Sequence, residues 1–538
     1  MVISKYAIEA YLDRPMEDFR WMKAKTHAEL DGVLSDLSPR PYFDNGPLDL
    51  HQKAGFLLGM SHRSFYLQYD MGLGKTRIAL ELFKYRFEAG EADVGIVFAP
   101  TDTIISSWRE EINKWMPDLP YLNLVGLNTA EKREAFNSFK RGLVLVTYPG
   151  FLWMMTELKP KLNKAGKKTG KQELDYVDRF INQVGRKVRF MILDEATQIS
   201  NQKTTIFVIM RRLAKMIDYR LLLAGRPFGR DPIDLWSQYY IVDRGETMGP
   251  TLELFRAAFY DEKDKFGNDP RKNNGFRRSK FSFAKEYTLK PSMVDELSRF
   301  LNNRALYYEA SEAIDLPPEV ERAKTAPLPE AQVRYYEALL KRVRSEGVQE
   351  NTFLRMRQLS AGYINIKEED GSKEEIRFPE NPKLDLLLDC LDEIPPGKQA
   401  IIYTEFTQSG RIIHEALTKL GIPHGWVHGG TTNYDEIKHT FDTTPGYHIL
   451  ANWKKLGVGV NAQAASYVIF FESPTDPEKR EQCKRRARRR GSIELHSRIF
   501  MYDLIITGSK DQAILDSIEK GDDLYRAVMK QPRLIFGK

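Results

Sequence analysis

The sequence contains little cysteine. Among 538 residues only Cys390 and Cys483 occur, and neither has another Cys or a His at a spacing that suits a metal ion. This scarcity argues against a disulfide framework and against a zinc site built from thiolates. We therefore expect both cysteines to be structural thiols in a reducing compartment.

Long hydrophobic runs are also missing. No uncharged apolar run reaches ~18 residues, the length that a membrane-spanning helix requires. The first six residues have neither the basic region nor the apolar region of a signal peptide. We expect no membrane partner for this chain.

The charge balance is mild, with 81 Lys and Arg against 74 Asp and Glu and a net charge of +7. Such a balance permits a polyanionic partner without requiring one. Basic residues cluster at 159–189, 271–280 and 484–490. Runs of this kind are usually solvated faces or mobile loops, and the last one also has the composition of a nuclear localisation signal.

The segment QYDMGLGKT at 68–76 follows an apolar run and precedes a helix-like run at 77–84. Its glycines allow a tight turn in which several N–H groups face one phosphate, and the next helix adds its positive N-terminus. Lys75 suits the β- and γ-phosphates, and the Thr76 hydroxyl suits Mg²⁺. Tyr69 stands where the general pattern has Gly, and a plain turn with a solvated lysine is the alternative.

Other polar residues surround this segment in the pattern of a nucleotide site. Short apolar runs at 94–99, 142–147, 189–193 and 219–224 predict parallel strands with helices on both faces of the sheet. Asp194 and Glu195 follow the third run, where a carboxylate can hold a metal's water shell and another can activate water. Gln52 precedes the loop, and its amide can both donate to and accept from an adenine edge.

The second half repeats this architecture without a phosphate loop. Strands are predicted at 399–404, 449–452, 467–471 and 498–506, with helices at 331–344, 351–359, 409–420 and 510–519. The polar stretch at 159–187 is predicted to be a loop with a short helix. The predicted domains are an N-terminal helical cap (1–45), a first parallel-sheet lobe (46–248), its helical insertion (249–313), the start and helical insertion of a second lobe (314–396), and the second lobe itself (397–538).

Six motifs together resemble the SNF2-type ATPases of helicase superfamily 2. They are MGLGKT at 71–76, DEAT at 194–197, LLLAGRP at 221–227, DLPP at 315–318, GVGVNAQAA at 457–465 and QCKRRARRRG at 482–491. The match extends from about residue 47 to 528. The resemblance implies an α/β fold of two tandem RecA-like parallel-sheet lobes with SNF2-type helical insertions.

The resemblance also implies a nucleotide site with ATP and Mg²⁺ as cofactors. By this resemblance Gln52 would contact adenine, and Thr76 and Asp194 would bind Mg²⁺. Glu195 would be the catalytic base. The further nucleotide-binding residues are Met71, Gly72, Leu73, Gly74, Lys75, Thr76, Gly459 and Asn461, with Lys75 also catalytic. Arg486 and Arg489 would be arginine fingers from the later half, with the register among 485–490 open by about one residue, and this role replaces the localisation signal.

The implied activity is that of a DNA-dependent ATPase that translocates on double-stranded DNA. The residues expected to contact DNA are Thr101, Ser107, Thr147, Tyr148, Thr404, Trp453, Lys454 and Lys455. Three alternatives stay open, namely a strand-separating 3'-5' helicase, a remodeller of a DNA-bound protein or RNA polymerase, and a binding subunit with a vestigial site. Branched or single-stranded DNA also remains open, and no protein partner is specified.

The sequence departs from the family pattern at four positions. Thr197 replaces a His, Arg226 a Thr, Ser466 an Asp and Ser492 a Gln. The first two lie where the family couples hydrolysis to DNA, so the departures bear on coupling. No accessory reader domain is visible, which is typical of minimal motors of bacteria and their viruses. We expect a cytoplasmic protein, with a nuclear one left open.

Overall fold

The computed structural model describes residues 4–37, 46–162, 168–228, 231–264, 285–346, 350–367, 373–456 and 462–529. The residues up to Ala313, together with those from Leu524 onward, form one compact unit, and Ile314–Asp523 form a second. The bounds predicted for the five domains stay predictions. Among the described helices, none combines the length and the apolar composition needed to cross a membrane.

The first unit is built on a seven-stranded sheet in the order β11-β1-β8-β7-β2-β4-β3, in which every pair is parallel. Its central strands are buried along their whole length, which explains their nearly continuous apolar sequences. The strands of this unit are β1 (Ser64–Tyr69), β2 (Val94–Ala99), β3 (Tyr121–Asn123), β4 (Gly142–Thr147), β5 (Thr156–Leu162), β6 (Lys168–Tyr176), β7 (Phe190–Leu193), β8 (Tyr219–Leu223), β9 (Tyr260–Asp264), β10 (Lys285–Leu289) and β11 (Ala305–Tyr308).

Helices cover this sheet and bury apolar stripes against it. In α5 the buried residues Ile105, Trp108 and Ile112 recur at the spacing of one helix face. The helices are α1 (Lys5–Leu12), α2 (His27–Leu37), α3 (Leu50–Ser61), α4 (Lys75–Glu88), α5 (Asp102–Trp115), α6 (Thr129–Ser138), α7 (Tyr148–Met155), α8 (Asp178–Lys187), α9 (Thr205–Ala214), α10 (Leu235–Asp243), α11 (Leu252–Phe259), α12 (Val294–Leu301) and α13 (Ala310–Ala313). Short 3₁₀ helices lie at Phe19–Ala24, Ala196–Ile199, Pro232–Asp234 and Pro291–Met293.

The four strands predicted for the first lobe are confirmed as β2, β4, β7 and β8. The short helix predicted within 159–187 is confirmed as α8, but the predicted loop is wrong, because β5 and β6 form an antiparallel hairpin there. The hairpin stands apart from the main sheet and carries mostly polar residues, so it lacks the apolar pattern of a core strand. The insertion predicted as helical also contains the hairpin β9–β10 and the edge strand β11, which pairs with β1.

The second unit contains a six-stranded parallel sheet in the order β12-β19-β18-β15-β17-β16. Ile401 and Tyr403 on one face of its central strand join one apolar cluster, and Ala400 and Ile402 join another. The strands are β12 (Glu319–Pro327), β13 (Tyr363–Lys367), β14 (Lys373–Arg377), β15 (Gln399–Thr404), β16 (His424–Val427), β17 (His448–Asn452), β18 (Ala465–Phe470) and β19 (Ile499–Thr507).

The helices of the second unit are α14 (Glu330–Glu346), α15 (Glu350–Ser360), α16 (Pro382–Asp392), α17 (Thr407–Lys419), α18 (Tyr434–Thr443), α19 (Trp453–Leu456), α20 (Pro477–Ala487), α21 (Ser492–Leu495) and α22 (Asp511–Met529). The predicted strands and helices of this half are confirmed. The edge strand β12 was missed because its side chains are mostly polar and partly exposed, as is common at a sheet edge. The two parallel α/β sheets confirm the predicted fold class.

A buried ion pair fastens α20 to the second sheet. Arg480 donates to both carboxylate oxygens of Asp503 at 2.8 and 2.6 Å, and the two side chains are only 7% and 11% exposed. Removing one partner of such a pair leaves a buried charge without its counterion. We predict that Arg480→Ala lowers the free energy of unfolding by about 3–5 kcal/mol in denaturant titrations.

The matched control is Arg334→Ala, which removes a pair with Glu330 that is 83% and 91% exposed. It should cost about 0–1 kcal/mol, because water already screens both charges. Equal losses in the two variants would contradict a structural role for the buried pair.

Candidate active site

The carboxyl ends of the parallel strands bring four predicted site segments to one edge of the first sheet. Ala99 of β2 pairs with Thr147 of β4, and Phe98 of β2 pairs with Leu193 of β7. Asp194 follows β7 directly, and the phosphate loop follows β1. Lys75, in the first turn of α4, and Asp194 therefore belong to the same edge of the sheet.

The backbone of the loop between β1 and α4 suits a phosphate. Gly72 and Gly74 adopt left-handed φ values of +83° and +70°, and a Cβ atom at Gly72 would meet nothing within 4 Å. No side chain caps α4 at Gly74. The Lys75 ammonium donates to the main-chain carbonyls of Tyr69 and Asp70 at 2.7 and 3.2 Å. A glycine turn, an uncapped helix N-terminus and a lysine folded over the loop fit a bound triphosphate.

Tyr69 departs from the general pattern without disturbing the loop. It is the last residue of β1, is fully buried, and donates its hydroxyl to the main-chain carbonyl of His51 at 2.7 Å. Its position therefore belongs to the strand in this protein. The next residue, Asp70, accepts a hydrogen bond from the main-chain N–H of Ala310 at 2.9 Å and so ties the loop to α13.

Gln52 braces the phosphate loop. Its side-chain oxygen accepts from the N–H of Asp49 at 3.0 Å, and its amide nitrogen donates to the carbonyl of Leu73 at 3.4 Å. His51 makes a second contact to the same carbonyl at 3.0 Å. The amide of Gln52 thus has partners within the chain, and its predicted contact with adenine stays a prediction. Leu73 is buried and Met71 is partly exposed.

Asp194 is the most tightly held residue of the site. The indole N–H of Trp108 donates to its Oδ2 at 2.8 Å, and the N–H of Glu195 donates to its Oδ1 at 3.0 Å. The hydroxyl of Tyr148 donates to its main-chain carbonyl at 3.0 Å. Burial and the charge of Glu195 raise the pKa of Asp194 to about 6. A carboxylate fixed in this way is pre-oriented for a cation.

Glu195 itself has a left-handed backbone with φ of +50°, which is uncommon for a residue other than glycine. Backbone outliers of this kind concentrate at functional sites. Thr76, the other predicted metal ligand, lies in the first turn of α4 and is partly exposed. Oxygen ligands from a hydroxyl and a carboxylate are those that Mg²⁺ prefers.

The predicted DNA contacts of the first unit are mostly accessible. Thr101 and Thr147 are partly exposed and cap α5 and α7, accepting from the N–H groups of Ile104 at 3.4 Å and Gly150 at 3.2 Å. Ser107 is partly exposed and donates to the carbonyl of Thr103 at 3.3 Å. Tyr148 is a correction, because its side chain is 4% exposed and its hydroxyl already bonds to Asp194.

The second unit holds its predicted DNA contacts around Glu405. Lys454, with 59% of its side chain exposed, pairs with this carboxylate at 2.9 Å, and Trp453 donates its indole N–H to it at 3.0 Å. Burial would raise the pKa of Glu405, but Arg357 and Lys454 lower it below its usual value. Thr404 is a correction, because it is 1% exposed at the end of β15.

Other predicted positions have mixed outcomes. Lys455 belongs to α19, and its side chain lies outside the described residues, as do Gly459, Asn461 and the basic patch at 271–280. In the patch at 159–189, Lys159 pairs with Asp175, and Lys187 donates to the main-chain carbonyls of Phe136 and Asn137. These two lysines therefore have partners within the chain.

The two predicted arginine fingers differ in exposure. Arg489 is partly exposed, although burial lowers the pKa of its guanidinium. Arg486 is 4% exposed. Burial raises the pKa values of Tyr403 and of the half-buried Tyr434, and the charge of Arg486 offsets part of each rise. The roles of Arg486 and Arg489 as arginine fingers stay predictions.

The sequence did not single out Trp108, Asp70 or His51. The burial of Trp108 was predictable, because the apolar residues of a helix that follows β2 recur on the face turned toward the sheet. Its bond to Asp194 depends on strand order, since β7 and β2 are neighbours in space but far apart along the chain.

A phosphate loop and an acidic pair at the ends of neighbouring parallel strands define a P-loop α/β protein, here with two parallel sheets. Sequence models of two domains match the chain, the SNF2-related domain at residues 19–375 and the helicase conserved C-terminal domain at residues 382–491. The first match covers well over half of the sequence. The chain belongs to the SNF2-related family, which confirms the resemblance predicted from its motifs.

Similar proteins come from several kinds of organism. YwqA of Bacillus subtilis, a candidate ATP-dependent helicase/translocase, is 23% identical over 91% of this chain and 50% of its own length. The human DNA excision repair protein ERCC-6-like is 24% identical over 91% of this chain and 42% of its own length. The chain therefore spans half or less of these relatives. Among solved structures, the Sulfolobus solfataricus SWI2/SNF2 ATPase core in complex with dsDNA is 20% identical, with coverage of 91% and 98% and a TM-score of 0.37.

The close approach of Gln52 to Gly74 makes the loop sensitive to a single methyl group. A Cβ atom at Gly74 would lie 2.1 Å from the amide nitrogen of Gln52. Gly74→Ala should therefore lower the free energy of unfolding by about 1–2 kcal/mol for the left-handed backbone and by about 1–3 kcal/mol more for the collision. Denaturant titration of the purified chain measures both losses together.

Gly90→Ala is the matched control, since Gly90 has a φ of +72° with nothing within 4 Å of a Cβ atom. It should show only the backbone loss. Adding Gln52→Ala to Gly74→Ala should cost less than the two separate losses combined, because the second change removes the collision. Strict additivity would show that Gln52 does not brace the loop.

Proposed function

We propose that this chain is a DNA-dependent ATPase that translocates on double-stranded DNA. The observation that carries the proposal is that one edge of a parallel sheet holds both Lys75, folded over a glycine loop, and Asp194, fixed at the end of β7. Membership of the SNF2-related family supports the same conclusion. ATP would bind with its triphosphate across the loop and the N-terminus of α4.

Each residue of the site would have a distinct role in hydrolysis. The N–H groups around Gly72 and Gly74 would hold the phosphates, and Lys75 would neutralise charge on the β- and γ-phosphates. Thr76 and Asp194 would hold Mg²⁺, which supplies further neutralisation when bound. Glu195 would accept a proton from the attacking water. We assign to Arg489 the stabilisation of charge on the transferred phosphoryl group.

DNA would be gripped through its backbone. Thr101, Ser107 and Thr147 offer partly exposed hydroxyls at the carboxyl edge of the first sheet, and Lys454 offers an exposed ammonium in the second unit. Hydroxyls, main-chain N–H groups and lysines bind phosphates without reading bases. We therefore propose that translocation depends little on DNA sequence.

Strand separation is the second candidate, favoured by the β5–β6 hairpin. Leu158 and Leu174 are direct partners across this hairpin and are 52% and 37% exposed. The hairpin follows α7, the helix that Thr147 caps. Exposed apolar side chains on a hairpin are suited to stacking against an opened base pair.

Catalytic substitutions test the enzymatic assignment. Lys75→Ala and Glu195→Gln should each lower DNA-stimulated ATP turnover by roughly 10²–10⁴-fold, because each removes a group that acts on the reacting phosphate or water. DNA binding in a gel-shift assay should persist. Lys84→Ala and Glu88→Gln, at a partly exposed ion pair near the far end of the same helix α4, serve as controls that retain turnover. Wild-type rates in the first two variants would remove the assignment.

The response to DNA tests the motor assignment. Duplex DNA should raise ATP turnover, and added salt should lower the stimulated rate steeply, because binding to phosphates releases counterions. A rate that is indifferent to DNA would favour the protein-remodelling alternative.

A triplex-displacement assay separates tracking from strand separation. A translocase displaces the third strand from a duplex track while a forked duplex stays annealed. Unwinding of the fork that is lost in a Leu158→Ser, Leu174→Ser double variant would instead support the helicase alternative. Displacement on neither substrate, with turnover intact, would contradict both.

A further inference from the structure

Two aromatic residues link the predicted DNA-binding segments to Asp194. Trp108 lies on α5, two turns after its cap Thr101, and donates its indole N–H to the Asp194 carboxylate at 2.8 Å. Tyr148 directly follows Thr147 and donates its hydroxyl to the Asp194 main-chain carbonyl at 3.0 Å. Each of the two segments whose hydroxyls are proposed to bind DNA is therefore hydrogen-bonded to Asp194.

The packing around these links leaves little room for independent motion. Trp108 is 1% exposed and Tyr148 is 4% exposed. Tyr148 stacks on Phe98 with ring centroids 5.9 Å apart and an interplanar angle of 26°. The main-chain carbonyl of Phe98 accepts a hydrogen bond from the N–H of Asp194 at 2.9 Å. Since closely packed interiors transmit displacements, a shift of α5 or α7 must either move Asp194 or break one of these bonds.

The two threonines can bind phosphate without giving up their caps. Each hydroxyl oxygen now accepts from an N–H of its own helix. A hydroxyl also carries one hydrogen that it can donate. A phosphate of the DNA backbone can therefore accept from Thr101 or Thr147 and pull on the first turn of α5 or α7.

We infer that Trp108 and Tyr148 are positioning residues that couple DNA bound at the N-termini of α5 and α7 to the orientation of the Asp194 carboxylate. The inference rests on the proposed function, because it takes DNA as the ligand of those helices. It adds a route by which DNA raises the rate of hydrolysis. Neither residue touches the substrate in this scheme, so neither is catalytic.

A second tryptophan on the same helix makes a local indole hydrogen bond, and its ring packs against the guanidinium of Arg77 at 3.9 Å. Trp115 donates its indole N–H to Glu111, one turn earlier, at 2.7 Å. A buried indole needs some acceptor, and a nearby side chain serves that need. Trp108 instead bonds to a carboxylate that lies 86 residues away in sequence. The two tryptophans form a matched pair for experiment.

Fluorine NMR on the fluorotryptophan-labelled chain measures the link directly. Spectra of Trp108→Phe and Trp115→Phe assign the two resonances. Duplex DNA, added without nucleotide, should shift the Trp108 resonance and leave that of Trp115 nearly unchanged. Replacing Thr101 and Thr147 by Ala should reduce the shift at DNA concentrations that still saturate the chain. A Trp108 resonance that ignores bound DNA would overturn the inference.

Kinetics distinguish coupling from mere support of the fold. Trp108→Phe should lower the ratio of DNA-stimulated to unstimulated turnover by roughly tenfold, the effect of losing one hydrogen bond to a charged group. Trp115→Phe should keep the wild-type ratio. Benzothienylalanine at position 108 keeps the shape of the ring without its N–H, so it should reproduce the loss even where Trp108→Phe folds poorly. An equal loss of the DNA-stimulated and the unstimulated rates would contradict coupling, because it would mean that Trp108 only supports the structure of the site.

Failure of the inference and failure of the proposed function give different results. A wild-type chain that binds DNA without hydrolysing ATP would contradict the proposed function, and the fluorine shift would still decide the inference. DNA-stimulated turnover without a shift at Trp108 would overturn the inference and leave the proposed function intact.

Discussion

The hydrogen-bonded position of Asp194 is the constraint on which the rest of the site depends. Parallel strands end at one edge of a sheet, so the segments after β1, β2, β4 and β7 are neighbours there. Asp194 is bonded through its carboxylate to the segment after β2 and through its carbonyl to the segment after β4, and its N–H donates to strand β2 itself. Lys75 comes from the segment after β1. A carboxylate that is already held by several hydrogen bonds loses little conformational entropy when a cation binds.

The sequence predicted the fold well because both central sheets are buried on two faces. Their strands are unbroken apolar runs, which are easy to recognise and to separate from helices. The polar edge strand β12 and the hairpin β5–β6 lack that pattern, because their burial is incomplete. Strand β11 is buried but has only four residues, too short a run to stand out.

The site was predicted in its motifs but not in its supporting contacts. Residues 71–76 and 194–195 stand together in the sequence, so their spacing alone indicates their chemistry. Trp108 and Tyr148 join them through tertiary contacts that no local pattern contains. The same limitation explains the correction at Tyr148, whose position after β4 suggested a surface contact although its side chain turns into the core. Exposure depends on packing that a motif does not specify.

In the proposed function, a nucleotide-bound metal ion lies beside Asp194. Mn²⁺ can replace Mg²⁺ and broadens the NMR signals of nuclei close to it, so adding Mn²⁺ with ADP to the fluorotryptophan-labelled chain tests this position. We predict that the Trp108 resonance broadens at lower Mn²⁺ concentrations than that of Trp115, and that Asp194→Ala abolishes this preference. A Trp108 resonance that stays sharp while the chain is saturated with Mn²⁺ and ADP would contradict the account.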